Sequence, residues 1–200
     1  YNKNEINKLI DEAKAQSVKL LVFPELCITA YTCADLFFQP TLLNGALKAL
    51  EEIAAHTAGN DMLVAVGCPL RFEGRLYNCA VMLQNGKILG VVPKKHLPNH
   101  GEFYELRNFT PAFDGLREMN LCGQSVPFGL DLLFACRQLP ELMVGIEICE
   151  DLWAATPPSN RLAASGASII ANLSASNECL GKIEQRRGLV KHQSAKLHCG

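Results

Sequence analysis

Three residues of complementary chemistry each follow an apolar, strand-like run. Glu25 follows Lys19-Leu20-Leu21-Val22-Phe23, Lys94 and Lys95 follow the run Lys87 to Val92, and Cys149 follows Val144-Gly145-Ile146-Glu147-Ile148. A thiol, a carboxylate and an ammonium together can cleave an amide. The thiolate attacks the carbonyl carbon, and the carboxylate takes the thiol proton and later delivers one to the departing ammonia. The ammonium steadies the developing oxyanion and favours ionisation of the thiol. A turn that lifts a cysteine out of a sheet also frees the next backbone N–H groups to hold that oxyanion. Taken singly, each residue has a plainer reading: Cys149 as a buried core thiol, Glu25 as a solvated loop acid, the two lysines as a surface pair. Spacing alone does not show that the three converge.

The elements that must position them follow from periodicity. Ile6, Leu9, Ile10 and Ala13 recur at helical spacing and predict a helix over about 4–16. The run 19–23 reads as a strand covered on both faces, stopped by Pro24 so that Glu25 stands at its tip. Leu43, Ala46, Leu47, Leu50, Ile53 and Ala54 make one stripe of a helix over 42–57. Strands follow at Met62–Pro69, Tyr77–Leu83 and Lys87–Val92, the last two joined by the hairpin signal Asn85-Gly86, with Arg71–Arg75 as a polar connection. Residues 93–130 carry little periodicity and many prolines and glycines, a stretch long enough to suggest function. Strands at 131–136, 142–148 and 168–173, a helix at about 159–165 capped by Ser159 or Asn160, and a last helix from about Gly181 complete the chain. Early alternation of helix and strand followed by a meander indicates a layered α/β fold in one domain, 1–200.

Composition narrows the partners. Two hundred residues, 48% hydrophobic and 20% charged, suit one globular domain with a sizeable core. A formal net charge of -1 gives no electrostatic reason for nucleic acid or an anionic membrane, and no apolar run approaches the length of a membrane span. Nine scattered cysteines without a Cys-x-x-Cys pair argue against zinc and for reduced thiols, hence a cytoplasmic home. The chain opens on Tyr1 in a helical pattern and stops after Cys199-Gly200 without a cap, so both ends read as cut.

Phe23-Pro24-Glu25-Leu26, Pro93-Lys94-Lys95-His96-Leu97-Pro98 and Gly145-Ile146-Glu147-Ile148-Cys149-Glu150-Asp151 resemble, in order, the three signature motifs of the nitrilase (carbon–nitrogen hydrolase) superfamily. Leu26 to Tyr31, Glu102-Phe103-Tyr104-Glu105, Cys149 to Trp153 and Asn172-Leu173-Ser174-Ala175-Ser176 are similar to one branch, the glutaminase domain of glutamine-dependent NAD synthetase. The resemblance implies a four-layer αββα sandwich, truncated at both ends. It implies Glu25 as general base, Lys94 rather than Lys95 as oxyanion-stabilising lysine, Cys149 as nucleophile, the Glu150 backbone N–H as an oxyanion donor, and Glu102 as a secondary active-site glutamate. It places His100, Ser176 and Lys182 at the glutamine site, His100 departing from the usual tyrosine and Lys182 from an arginine, which costs the bidentate fork.

What the resemblance implies for function is hydrolysis of L-glutamine through a cysteine thioester, with the ammonia passed to a C-terminal synthetase domain of the same polypeptide that makes NAD. This domain itself would need no cofactor or metal, ATP and Mg2+ belonging to the synthetase part, and a homo-oligomer is expected. A stand-alone amidase or carbamoylase acting on another small amide is the alternative, and a catalytically dead scaffold a third. Trp153 is expected to pack beneath the turn that carries Cys149.

Overall fold

The computed structural model describes all residues, 1–200. Helix α1 (Asn2–Ala15) buries Ile6, Ile10 and Ala13. Strand β1 (Leu20–Val22) leads to a 3-10 helix (Tyr31–Phe38), and α2 (Pro40–His56) follows with Pro40 in its first turn, where a missing N–H costs nothing. Strands β2 (Leu63–Phe72), β3 (Arg75–Gln84) and β4 (Lys87–Pro93) form an antiparallel meander. The short helix α3 (Glu105–Asn108) precedes the hairpin β5 (Arg117–Leu121) and β6 (Gln124–Phe128). Then come β7 (Leu133–Ala135), β8 (Met143–Ile148), a 3-10 turn (Cys149–Trp153), α4 (Pro158–Ala164), β9 (Ile169–Leu173) and α5 (Lys182–Leu197).

Two sheets result, one of six strands in the order β1-β2-β3-β4-β6-β5 and one of three in the order β7-β8-β9. Period-2 alternation decides what faces what. On β2 and β3, Val64, Val66, Tyr77, Cys79, Val81 and Leu83 pack with Ile6, Ile10, Leu50 and Ile53 of the first two helices. The intervening Ala65, Ala80 and Met82 pack with Val144, Ile146, Ile148, Ala171 and Leu173 of the smaller sheet. The outer face of that smaller sheet takes α4: a Cβ on Gly145 would meet Leu162 and Ile170 at 3.1 Å. The order helix, sheet, sheet, helix is the expected αββα layering.

Three expectations change. The run 19–23 forms a short edge strand, with Val22 37% exposed, because β1 has a neighbour on one side only. The polar connection at Arg71–Arg75 shrinks to a two-residue turn, and β2 and β3 pair out to Phe72 and Arg75. The stretch 93–130 holds the β5–β6 hairpin, whose Cys122-Gly123 turn has positive φ at both residues, as do Glu73-Gly74 and Asn85-Gly86. That is the turn geometry whose twist suits tight hairpins.

Ile146 lies between the sheets and is 1% exposed. Ile146→Ala should remove about 2–5 kcal/mol of stability, seen as a lower urea midpoint at unchanged slope. A loss below about 1 kcal/mol would show that the sheets do not depend on this contact.

Candidate active site

Four strand ends meet at the seam between the two sheets. Glu25 comes three residues after β1 and Lys94 directly after β4, both strands of the large sheet, while Cys149 directly follows β8 and Ser174 and Ala175 follow β9 of the small one. Glu25 is held by a tight turn. Ile28 donates its N–H to the Gly67 carbonyl at 3.2 Å, and Leu26 takes φ of 52°. This turn lies directly on Gly67 of β2, where a Cβ would come within 2.1 Å of the Leu26 nitrogen and 2.7 Å of the Pro24 oxygen. Only a residue without a side chain lets Glu25 sit where it does.

Lys94 is 1% exposed and lies between two carboxylates. Its Nζ donates to Glu25 Oε1 and to Glu105 Oε1, each at 2.6 Å. Asn78 Nδ2 donates to Glu25 Oε1 at 2.7 Å and to Glu105 Oε2 at 3.3 Å, and Tyr31 Oη donates to Glu105 Oε1 at 2.8 Å. Burial works against the lysine's charge, but Glu25 and then Glu105 outweigh it and hold Lys94 above its ordinary range. Burial pushes Glu105 up, and the neighbouring Glu25 adds to this while Lys94 opposes it. Tyr31 is pushed well up, by burial and by the Glu105 charge.

Cys149 opens the 3-10 turn with φ of 47°, a left-handed conformation that costs a non-glycine residue about 1–3 kcal/mol. Its Sγ accepts the Ser174 hydroxyl at 3.3 Å, and the next residue, Ala175, donates its N–H to Glu25 Oε2 at 3.2 Å. One short segment thus contacts the thiol and the carboxylate together. The thiol is pushed up to about 11, by burial first and by the Glu25 charge second, while Lys94 pulls the other way. At neutral pH it therefore rests protonated, and an acceptor for its proton is needed before it can attack.

Asp151, two residues beyond the thiol, is buried and clamps the turn. Its Oδ2 accepts the Ile148 N–H at 3.0 Å; its Oδ1 accepts those of His96 at 2.8 Å and Lys95 at 3.2 Å. Burial raises this carboxyl to about 7, against the pull of those N–H donors. Glu147, on the opposite face of β8, accepts the Ser159 N–H at 3.0 Å and an Asn172 amide at 3.3 Å, tying α4 and β9 to the same strand.

A cavity of about 500 Å³ is lined by His100, Phe103, Glu150, Trp153, Ser176, Cys179 and Lys182 among others. Glu150 and Ser176, next in the chain to Cys149 and Ala175, connect it to the cluster, whose own Glu25, Lys94 and Cys149 do not line it. It therefore gathers the three residues expected at a glutamine site. His100 lies mostly exposed at its rim, with Nε2 3.6 Å from Glu150 Oε1. Lys182 Nζ bonds Asn177 Oδ1 and stands 5.7 Å from the Phe103 ring centroid and 5.8 Å from that of Trp153.

Two expected placements are corrected. Glu102 is exposed and bonds the Asn177 amide; it does not reach Lys94. The chain turns inward only where α3 begins, so Glu105, three residues on, fills the place beside the lysine. Trp153 lines the cavity wall, and the side chain buried under the turn is Leu152. Sequence reasoning also passed over Asn78, Tyr31, Asp151 and Gly67. Asn78 had a signal, a lone amide in the apolar run Tyr77 to Leu83, and Asp151 had its place next to the motif cysteine.

The profile of the carbon-nitrogen hydrolase family matches residues 1–198. The chain belongs to this family. It is 41% identical over 192 residues to the glutamine-dependent NAD(+) synthetase of Mycobacterium tuberculosis strain H37Rv, covering 94% of this chain and 28% of that protein. The crystal structure of a glutamine-dependent NAD(+) synthetase from Cytophaga hutchinsonii superposes with a TM-score of 0.87 at 35% identity, over 99% of this chain and 32% of that one. An amidase from Nesterenkonia AN1 shares the fold, with a TM-score of 0.72 at 17% identity. The chain thus spans about three tenths of the length of the synthetases it matches.

Two outcomes test the geometry. Gly67→Ala should displace Glu25 and slow both thiol labelling and amide hydrolysis by about a hundredfold or more, with the circular dichroism unchanged. Wild-type rates would show that the turn tolerates the methyl. Lys94→Met leaves two buried carboxylates without their cation and should cost about 3–5 kcal/mol at neutral pH. Burial already pushes Glu105 up and Lys94 opposes that rise, so without Lys94 this carboxyl binds its proton at higher pH in the folded than in the unfolded state, and the variant gains stability as pH falls. A deficit that stays constant from neutral to mildly acidic pH in urea titrations would contradict the pairing.

Proposed function

We propose that this chain is the glutamine-hydrolysing domain of a glutamine-dependent NAD synthetase. One observation carries the reading: a buried thiol, carboxylate and ammonium stand at strand ends beside a cavity that holds Ser176, Lys182 and His100. The names of its relatives at 41% and 35% identity support the choice of glutamine.

In this reading Glu25 takes the Cys149 proton as Sγ bonds to the side-chain amide carbon of L-glutamine. Negative charge gathers on the amide oxygen, where the Lys94 ammonium and the Glu150 backbone N–H stabilise it. The tetrahedral adduct collapses by breaking the C–N bond, and Glu25 returns its proton to the departing nitrogen, which leaves as ammonia. A glutamyl thioester remains on Sγ. Water, deprotonated by Glu25, adds to it and releases glutamate and the thiol, so that glutamine and water become glutamate and ammonia. Lys182 and Ser176 hold the substrate's amino-acid end, with His100 at the rim. Glu105 sets the position and charge of Lys94.

The ammonia serves a synthetase domain of the same polypeptide, where ATP and Mg2+ activate the NAD precursor, in a homo-oligomeric, cytoplasmic enzyme. Within these residues no group of three or more His, Cys, Asp or Glu is arranged to hold a metal ion. No helix is long and apolar enough to cross a membrane. All nine cysteines are free thiols.

Cys149→Ala in the full polypeptide should abolish glutamine-dependent NAD formation and ammonia release from glutamine, while synthesis from added ammonia continues. Persistence of glutamine-dependent synthesis, or loss of both activities in a folded protein, would sink the reading. Ammonia release from asparagine or N-carbamoyl amino acids, faster than from glutamine, would favour a stand-alone amidase.

A further inference from the structure

Asn78 is 1% exposed and lies in a run that is otherwise apolar, Tyr77 to Leu83. Alternation along β3 turns it, with Ala80 and Met82, toward the second sheet. Three members of the ion cluster touch it. Its Nδ2 donates to Glu25 Oε1 at 2.7 Å and to Glu105 Oε2 at 3.3 Å, and its backbone oxygen accepts the Lys94 N–H at 2.8 Å. Its own Oδ1 is buried with no protein partner. Burying such an oxygen costs about 1–3 kcal/mol, which an apolar side chain would avoid. What the amide contributes therefore lies on its donor side.

The donor acts on the two oxygens of Glu25 unequally. Oε1 receives both Lys94 Nζ and Asn78 Nδ2, whereas Oε2 receives only the Ala175 N–H at 3.2 Å. Two donors on one oxygen set the rotation of the carboxylate. They leave lone-pair capacity on Oε2, beside the segment whose Ser174 touches the Cys149 thiol at 3.3 Å.

We propose that Asn78 is a positioning residue of the amide-cleaving site, fixing Glu25 so that Oε2 is presented to the Cys149 thiol. The proposal rests on the reading of Glu25 as proton acceptor. The charged and titratable groups around Glu25 are Lys94 at the end of β4, Glu105 of α3, Cys149 at the end of β8, and Tyr31 behind Glu105. Lys94 would still meet both carboxylates without Asn78. Glu25 Oε1 would, however, lose one of its two donors, and the carboxylate would be free to rotate about the remaining ion pair.

The test is the rate at which iodoacetamide captures Cys149, located by peptide mass and followed from acid to alkaline pH in the intact protein. Asn78→Ala should slow capture about 10- to 100-fold at neutral pH, the worth of a hydrogen bond to a charged group. The value of kcat for glutamine should fall with KM near wild type. Asn78→Asp keeps the shape but replaces the donor with an acceptor, and should be slower still. A folded Asn78→Ala protein with the wild-type capture rate and wild-type kcat would overturn the proposal. So would failure of both variants to fold, since Asn78 would then be a purely structural residue. Capture that depends on Asn78 in a protein that releases no ammonia from glutamine would refute the proposed substrate and leave this inference standing.

Discussion

A lysine ammonium enclosed by protein is costly unless its charge is answered, and Lys94 is answered twice, by Glu25 and Glu105. Moving one charge from water into the interior costs several kcal/mol, so the cluster stands only if its hydrogen bonds are nearly complete. Asn78, Tyr31 and the Ala175 N–H supply the remaining donors to the two carboxylates. With both carboxylates ionised the group carries one excess negative charge. The two carboxylates keep the lysine charged, and burial, with the Glu25 charge second, pushes the neighbouring thiol up toward its neutral form.

The same requirement joins the two sheets. Glu25 belongs to the large sheet and accepts an N–H from Ala175, which follows the last strand of the small one. Asp151 follows the central strand of the small sheet and accepts N–H groups from Lys95 and His96, which follow β4 of the large one. Each sheet thus sends one carboxylate to the backbone of the other. Apolar packing between Met82, Val92, Ile146 and Leu173 brings the layers together without fixing their ends. The reciprocal hydrogen bonds fix them, because an unmet buried carboxylate or N–H would cost more than an apolar mismatch. They also hold Cys149 in its left-handed conformation, which no local preference would maintain.

Much of this was legible in the residues. Helical stripes gave α1 and α2 within a few positions, and apolar alternation located β2, β3, β4, β8 and β9. The three motif residues sit where strand ends were expected. Periodicity could not show the β5–β6 hairpin, whose strands are five residues each and whose turn begins with a cysteine. It also could not separate Glu102 from Glu105. Both lie in one short motif, and which of them faces Lys94 depends on where the chain turns inward after His100 and Phe103 have lined the cavity. The lone amide of Asn78 stands out in its apolar run, but its partners, two carboxylates from distant segments, and the need for Gly67 under a turn that lies across it are legible only in three dimensions.

The resting state of the thiol bears on the order of the proposed chemistry. A cysteine paired with an imidazole rests as a thiolate, ready before substrate arrives. Here the nearest base is a carboxylate in a cluster already rich in negative charge, and the proton stays on sulfur at neutral pH. In the proposed reading sulfur becomes nucleophilic as Glu25 takes the proton, so that proton transfer and bond formation to the amide carbon advance together. Once Glu25 is protonated the excess negative charge of the cluster is gone, and Lys94 is left closer to balance with Glu105 alone. Part of its field then becomes available to the oxyanion forming beside it. In that reading the ammonium needs no movement to change roles, because the proton leaving sulfur changes its surroundings instead.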